Sequence, residues 1–143
     1  MHRAGIDVAL PVYWGAPGAY DWSNIAFSRA GLMPMIRALR SLGDEGVKLG
    51  LFYDTSTLQN GVRGVSPPDQ LADLTTPAGK DLFCNTIIEY FESIPQDLWA
   101  RVEGRPLVVL YSAAFASKWN ADLGSELARE TAAASVATVA ATN

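Results

Sequence analysis

The sequence predicts an α/β fold, with a parallel sheet built from about three β-α units. Three short apolar runs, at residues 6–13, 48–53 and 106–111, each end in or next to a tyrosine. Segments with helical periodicity lie between and after these runs. Because strands and helices alternate in this order, the strands are expected to lie parallel and to be joined by right-handed crossovers.

The first strand is predicted over residues 6–13. Its nearly continuous apolar sequence predicts burial on both faces, while Pro11 indicates a sheet edge or a bulge. Residues 14–30 are expected to form a long aromatic loop. Ahead of the strand, residues 1–5 look like the last turn of a helix that closes at Gly5, so the chain is expected to begin within a larger fold.

The first helix is predicted over residues 31–43. Pro34 is expected in its first turn and Gly43 at its end, because proline suits the start of a helix and glycine suits the stop. One face of this helix is apolar and is expected to be buried. That face carries Leu32, Ile36, Leu39 and Leu42.

The second unit starts with a strand at residues 48–53 and continues into a long loop at residues 55–76. Thr76 and Pro77 then predict a helix start, with threonine as the N-cap and proline at the first helical position. Pro95 is expected to end this helix. The buried face is expected to carry Phe83, Ile87, Tyr90 or Phe91, and Ile94.

The third unit follows a short helical turn near residues 96–100 and a chain reversal at Glu103–Gly104. Its strand is predicted over residues 106–111. A last helix is expected to begin at Asn120. The buried side of that helix carries Leu123 and Leu127.

The chain is predicted to form one domain over residues 1–130, followed by a low-complexity tail at residues 131–143 that is disordered or a frayed helix. The net charge of -4 and the pI near 4.8 give no electrostatic footprint for nucleic acid. No apolar run approaches the ~20 residues that a membrane span requires. Residues 1–5 lack the features of a signal peptide, and the localisation is left open.

A ligand site is expected at the C-terminal ends of the strands. In barrels and in open α/β sheets, ligands bind there, among the loops that lead from strands into helices. The elaborated loops of this chain are these loops. The residues predicted at the strand ends are Tyr13, Trp14, Tyr53, Asp54, Tyr111 and Ser112.

Asp54 is the only acid at the end of a predicted strand, which makes it a candidate catalytic or sugar-binding residue. The alternative is that Asp54 caps the following loop through an Asx turn. Trp14 and Trp22 are candidate stacking surfaces for the apolar face of a pyranose ring; the alternative is that they plug the top of the sheet. The strand-end tyrosines line a pocket, or their hydroxyls simply reach water above the core.

Several other chemistries find no support in the sequence. The lone histidine, His2, lies at a frayed end of the chain, so a Ser-His-Asp triad would have no base. Cys84 lies in a predicted helix without a second thiol, which leaves no thiolate metal site. No glycine-rich phosphate loop occurs. The sequence therefore predicts no cofactor and no metal.

Three segments carry a family resemblance: Ala4–Gly15, Lys48–Thr57 and Gly104–Tyr111. A helix ending in Ala-Gly-Ile, a strand ending in aromatic residues and a later Gly-Arg-Pro strand occur in that order. Together they resemble a bacterial domain family of unassigned function that is allied to endo-α-mannosidase-type glycoside hydrolases. The resemblance covers roughly residues 1–125 and implies a (β/α)8 barrel, a secreted or lumenal parent protein and a carbohydrate ligand.

A complete barrel of this TIM type needs eight strands and typically ~250 residues, whereas this chain supplies three strands. We therefore expect a partial (β/α)8 barrel, a fragment of a glycoside hydrolase-like protein whose catalytic acid motif lies on a later strand. The isolated chain is expected to be inactive and to self-associate through exposed sheet edges. Two alternatives are a non-catalytic carbohydrate-binding module and a small complete doubly wound α/β domain with another ligand.

Overall fold

The fold is mixed α/β, with several parallel strand pairs. The strands are β1 (Val8–Ala9), β2 (Val12–Tyr13), β3 (Lys48–Leu49), β4 (Leu51–Asp54), β5 (Ala72–Asp73), β6 (Arg101–Val102), β7 (Arg105–Pro106), β8 (Val108–Tyr111) and β9 (Ala116–Lys118). The helices with described bounds are α1 (Ile25–Ser41), α2 (Pro77–Glu92) and two 3-10 helices, Thr55–Gln59 and Gln96–Leu98, and further helical residues lie at 123–125, 127 and 129. A computed structural model describes residues 5–15, 25–41, 43, 46–59, 72–112, 116–125, 127 and 129.

The central sheet is parallel, and its strand order follows the chain. β2 pairs with β4, and β4 pairs with β8. β1 also pairs in parallel with β3, so the consecutive strands β1 and β2 lie beside the consecutive strands β3 and β4. The predicted parallel arrangement is confirmed at this level. Pro11 lies between β1 and β2, where the edge run of the described sheet is interrupted.

A hairpin interrupts the third strand, which the sequence prediction missed. Trp99 bridges Leu49 in parallel before the hairpin, and β8 pairs with β4 after it. Between them, β6 and β7 pair antiparallel around Glu103 and Gly104, both of which have positive φ, as a two-residue hairpin turn requires. Pro106 therefore belongs to the hairpin rather than to the third strand.

Helix α1 starts at Ile25, well before the predicted start at residue 31, so the end of the expected loop is helical. Pro34 consequently lies inside the helix and not in its first turn, which corrects the prediction. A proline inside a helix removes one backbone hydrogen bond but keeps a helical φ, and here the helix tolerates it. Gly43 closes the helix as predicted, with a φ of 60° and its N–H donating to Arg40 O at 3.2 Å.

Helix α2 begins as predicted. Pro77 is its first residue, and Thr76 Oγ1 accepts a hydrogen bond from the Gly79 N–H at 3.1 Å. The loop predicted at residues 55–76 was wrong at both ends, where a 3-10 helix and strand β5 form. β5 pairs in parallel with β9, which was also expected to be a connection. Strands this short carry too little periodicity for a sequence pattern to reveal them.

Both helices cover the same face of the sheet. Leu49, Leu51 and Tyr53 alternate along β3–β4, are fully buried, and form one core cluster with apolar residues of α1 and α2. In a sheet whose consecutive strands lie side by side, crossovers of one hand place every helix on the same side. This explains why the second face of the sheet has no helix over it in the described part of the chain.

The opposite face is apolar and partly open to solvent, and it is termed the uncovered face. Val8, Leu10 and Val12 are 37–46% exposed there, so the predicted burial of the first strand on both faces was wrong. The pairing of Val12 with Phe52, and of Phe52 with Val109, extends this face across all three strands. The uncovered face comprises Val8, Leu10, Val12, Phe52, Val109 and Tyr111.

Candidate functional site

The ends of the three parallel strands bring Trp14, Asp54 and Tyr111 together above the uncovered face. Asp54 pairs with Tyr111 in the register of β4 and β8. Trp14 directly follows Tyr13, which pairs with Tyr53. Trp14, Asp54 and Tyr111 are termed the strand-end row, and each was predicted as a site residue from the sequence.

Asp54 is half-buried and uses both of its carboxylate oxygens. Oδ2 accepts a hydrogen bond from Trp14 Nε1–H at 3.0 Å. Oδ1 accepts hydrogen bonds from the Ser56 N–H at 3.2 Å and from the Ser56 hydroxyl at 2.6 Å. The Asx turn expected as the alternative role of Asp54 is therefore present. Oδ2 keeps the capacity for a second hydrogen bond, because each carboxylate oxygen accepts about two.

Thr55 connects the end of β4 to the end of β8. Its side chain is fully buried, and its hydroxyl donates to the backbone oxygen of Tyr111 and lies 3.0 Å from that of Ser112. Ser112 has a φ of 62°, which is uncommon for a residue other than glycine. The Thr55 hydroxyl thus contacts the backbone at the end of β8.

Tyr111 is the exposed aromatic residue of the row. Its side chain is 55% exposed, and its ring stacks on Phe52 with centroids 5.6 Å apart and an interplanar angle of 29°. Phe52 was not predicted from the sequence as a site residue. The period-two alternation of a strand, which places Phe52 and Asp54 on one face, was the signal that would have found it.

Tyr13 and Tyr53 do not join the row, which corrects their predicted position. Both rings lie in the core under the helices, 3% and 0% exposed. Tyr13 packs against Tyr90 with centroids 5.3 Å apart, and Tyr53 stacks on Phe83 at 5.7 Å. Both residues do lie at or next to the end of a strand, as predicted. The alternation of side chains nevertheless sends them to the opposite face from Asp54.

Two grooves lined by described residues lie near these elements. One, of about 300 Å³, runs beside Trp14 between β2 and the start of α1, with the exposed Phe27 on its wall. The other, of about 360 Å³, lies on the helix side of the sheet between α2 and β8, and Leu110 and the 73% exposed Trp119 line it. Trp22, the other predicted stacking residue, lies outside the described residues.

Two kinds of feature, a metal site and a membrane-spanning helix, are absent from the described residues. Among them, no group of three or more His, Cys, Asp or Glu side chains is arranged to hold a metal ion. No helix within the same residues is both long enough and apolar enough to span a membrane. The strand-end row itself combines two aromatic rings with one carboxylate, a combination suited to a ligand that has both apolar faces and hydroxyl groups.

Comparison with known proteins identifies the family but no activity. Residues 1–131 match the family model described as a domain of unknown function, DUF5010. No curated protein and no solved structure matched the chain. The predicted alliance with endo-α-mannosidase-type glycoside hydrolases is not tested by these comparisons and stays a prediction. Over nearly its whole length, the chain belongs to the DUF5010 family of domains of unknown function.

Proposed function

We propose that this chain forms part of a glycoside hydrolase-like (β/α)8 barrel and that its strand-end row binds a glycan. The observation that carries the proposal is the grouping of Trp14, Asp54 and Tyr111 at the C-terminal ends of three parallel strands. Ligands of parallel α/β folds bind at this end of the sheet. The resemblance of the sequence to glycoside hydrolase-like domains points to the same ligand class.

The strand order supports a barrel segment over a doubly wound sheet. A doubly wound sheet reverses its strand order and carries helices on both faces. In the described residues, the strands run in sequential order and both long helices cover one face. The uncovered face would then be the barrel interior, which is filled by side chains from all the strands. Val12, Phe52 and Val109 are paired in register on neighbouring strands, so all three lie on this face.

The chemistry of the row suits a sugar ring. A pyranose presents an apolar C–H face and a rim of hydroxyls. Tyr111 offers an exposed aromatic ring, and Trp14 offers a half-buried indole whose N–H is held by Asp54. Asp54 Oδ2 has the capacity to accept one further hydrogen bond, from a sugar hydroxyl.

Binding is better supported than hydrolysis for this row alone. Glycoside hydrolysis usually needs two carboxyl groups, about 5 to 5.5 Å apart for retention or about 6.5 to 9.5 Å apart for inversion. The row supplies only Asp54, which already accepts three hydrogen bonds. The row by itself therefore lacks the second carboxyl group that hydrolysis needs. This same observation favours the second candidate function, a carbohydrate-binding module without catalysis.

Glycan binding is tested by titrating the full 143-residue chain with mannohexaose, cellohexaose and maltohexaose while tryptophan fluorescence is recorded. We expect a saturable change with at least one of these oligosaccharides. Trp14→Ala should abolish the response, whereas Trp119→Ala, on the helix side of the sheet, should preserve it. A wild-type chain that responds to none of the three contradicts the proposal.

Catalysis is tested separately, by measuring the release of reducing ends from the matching polysaccharide. This assay uses the longest natural protein that contains this domain. Asp54→Asn should reduce the rate at which that protein releases reducing ends. Binding without any release of reducing ends would identify a carbohydrate-binding module instead.

A further inference from the structure

We infer that Asp54 and Thr55 are positioning residues that hold Trp14 and Tyr111 at a fixed separation, as two stacking surfaces for one ligand. The inference rests on the proposed function, in which the strand-end row binds a glycan. Asp54 is the last residue of β4, and Thr55 is the first residue of the 3-10 helix that follows. Each of the two contacts the end of one neighbouring strand. Asp54 binds the residue that follows β2, and Thr55 binds the last residue of β8.

The Asp54 contact requires a carboxylate rather than an amide. The Trp14 indole N–H approaches Oδ2, and the Ser56 N–H approaches Oδ1. An asparagine at this position has only one oxygen, so it can accept only one of the two N–H groups, because its other terminal group is a donor. Asp54→Asn therefore releases either the indole or the Asx turn, although the side chain keeps its size.

The Thr55 contact holds the backbone at the end of β8. The buried hydroxyl donates to Tyr111 O and is close to Ser112 O. The positive φ of Ser112 marks a backbone conformation that persists only where the surrounding structure stabilises it. Thr55→Val keeps the shape of the buried side chain and removes only the hydroxyl, so the end of β8 and the Tyr111 ring lose this restraint.

Thr57 provides a control that distinguishes a positioning role of Thr55 from a purely structural one. Thr57 is also buried, and its hydroxyl donates to Asp54 O at 3.0 Å. Thr57→Val makes the same chemical change as Thr55→Val, two residues further along the same 3-10 helix. It removes the local hydrogen bond to Asp54 O, whereas Thr55→Val removes the hydrogen bond to Tyr111 O on β8. Both variants should lose similar stability, and only Thr55→Val should lose ligand affinity.

The first experiment compares the affinity of the best-binding oligosaccharide among mannohexaose, cellohexaose and maltohexaose. We expect Thr55→Val to bind about three- to tenfold more weakly than wild type, the cost of ordering one large side chain on binding. Thr57→Val should stay within about twofold of wild type. Equal loss in the two variants, or no loss in Thr55→Val, would overturn the positioning role of Thr55.

The second experiment needs no ligand and separates this inference from the proposed function. The indole N–H signal of Trp14, assigned with Trp14→Phe, is followed by NMR in the ligand-free full chain. Asp54→Ala removes both acceptor oxygens, so it should shift this signal and speed its exchange with water, while Thr57→Val should leave it in place. An unchanged indole signal in Asp54→Ala refutes the positioning role even if glycans bind. A changed signal without glycan binding supports the positioning role and refutes only the proposed ligand.

Discussion

The hydrogen bond between Tyr90 and Gly50 gives the sharpest prediction about stability. Tyr90 lies on α2, is fully buried, and donates its hydroxyl to Gly50 O at 2.7 Å. Gly50 lies between β3 and β4, at the break in the middle run of the sheet. This bond therefore ties the helix layer to the sheet at a point where the strand is interrupted. Tyr90→Phe removes the bond and little else.

The expected loss follows from the burial of both groups. A net hydrogen bond contributes about 0.5–1.5 kcal/mol, and a buried carbonyl left without a donor costs about 1–3 kcal/mol. Phenylalanine keeps the ring contacts with Tyr13 and Phe91, whose centroids lie 5.3 and 5.2 Å from that of Tyr90. We therefore expect Tyr90→Phe to lower the free energy of unfolding by about 1–2 kcal/mol.

Urea unfolding followed by circular dichroism measures this loss, provided that the slope of the transition is unchanged. Tyr111→Phe is the matched control, because it removes a hydroxyl from an exposed ring and should change stability by less than about 0.5 kcal/mol. If Tyr90→Phe is no less stable than Tyr111→Phe, the hydrogen bond to Gly50 does not link helix and sheet as described.

Burial and the nearby Tyr13 raise the pKa of the Tyr90 hydroxyl above its usual value. Above pH ~10 the unfolded chain therefore loses a proton from Tyr90 that the folded chain keeps. Stability should then fall by up to ~1.4 kcal/mol per pH unit, as alkaline unfolding would show, and less steeply in Tyr90→Phe. Gly50→Ala would place a Cβ 2.7 Å from a leucine methyl, and urea unfolding should show a loss of about 1–3 kcal/mol. Gly31→Ala in the exposed part of α1 meets no atom within 4 Å and should raise stability by about 0.5–1 kcal/mol in the same assay. Thr76→Ala removes the N-cap of α2 and should cost about 1 kcal/mol by thermal melting. The uncovered face predicts self-association, which sedimentation velocity would detect as a mass that rises with concentration; a constant monomer mass would contradict it.

The strand ends were predictable because short apolar runs that stop at polar residues mark them directly. Trp14, Asp54 and Tyr111 were found in this way, and the structure places them together. Tyr13 and Tyr53 share that sequence signal but lie in the core, because the face of a strand end depends on where the helices pack. The position along a strand was therefore easier to predict than the face.

Long-range contacts account for what the sequence did not reveal. The bond from Thr55 to Tyr111 joins residues that are 56 positions apart, and no local pattern encodes it. The hairpin at β6–β7 inserts itself into the third strand, although its turn at Glu103–Gly104 was recognised. Pro34 misled the placement of α1, because proline favours a helix start but is also tolerated inside a helix that packs well.

Glycan binding by the strand-end row can be observed by locating a bound oligosaccharide on the full chain. Chemical-shift changes in NMR spectra, recorded during titration with the best-binding hexasaccharide, provide this location. We expect the largest changes at the Trp14 indole and at Tyr111, with little change at Trp119. Largest changes around Trp119 and Leu110, in the groove between α2 and β8, would place the ligand on the other side of the sheet and contradict the account.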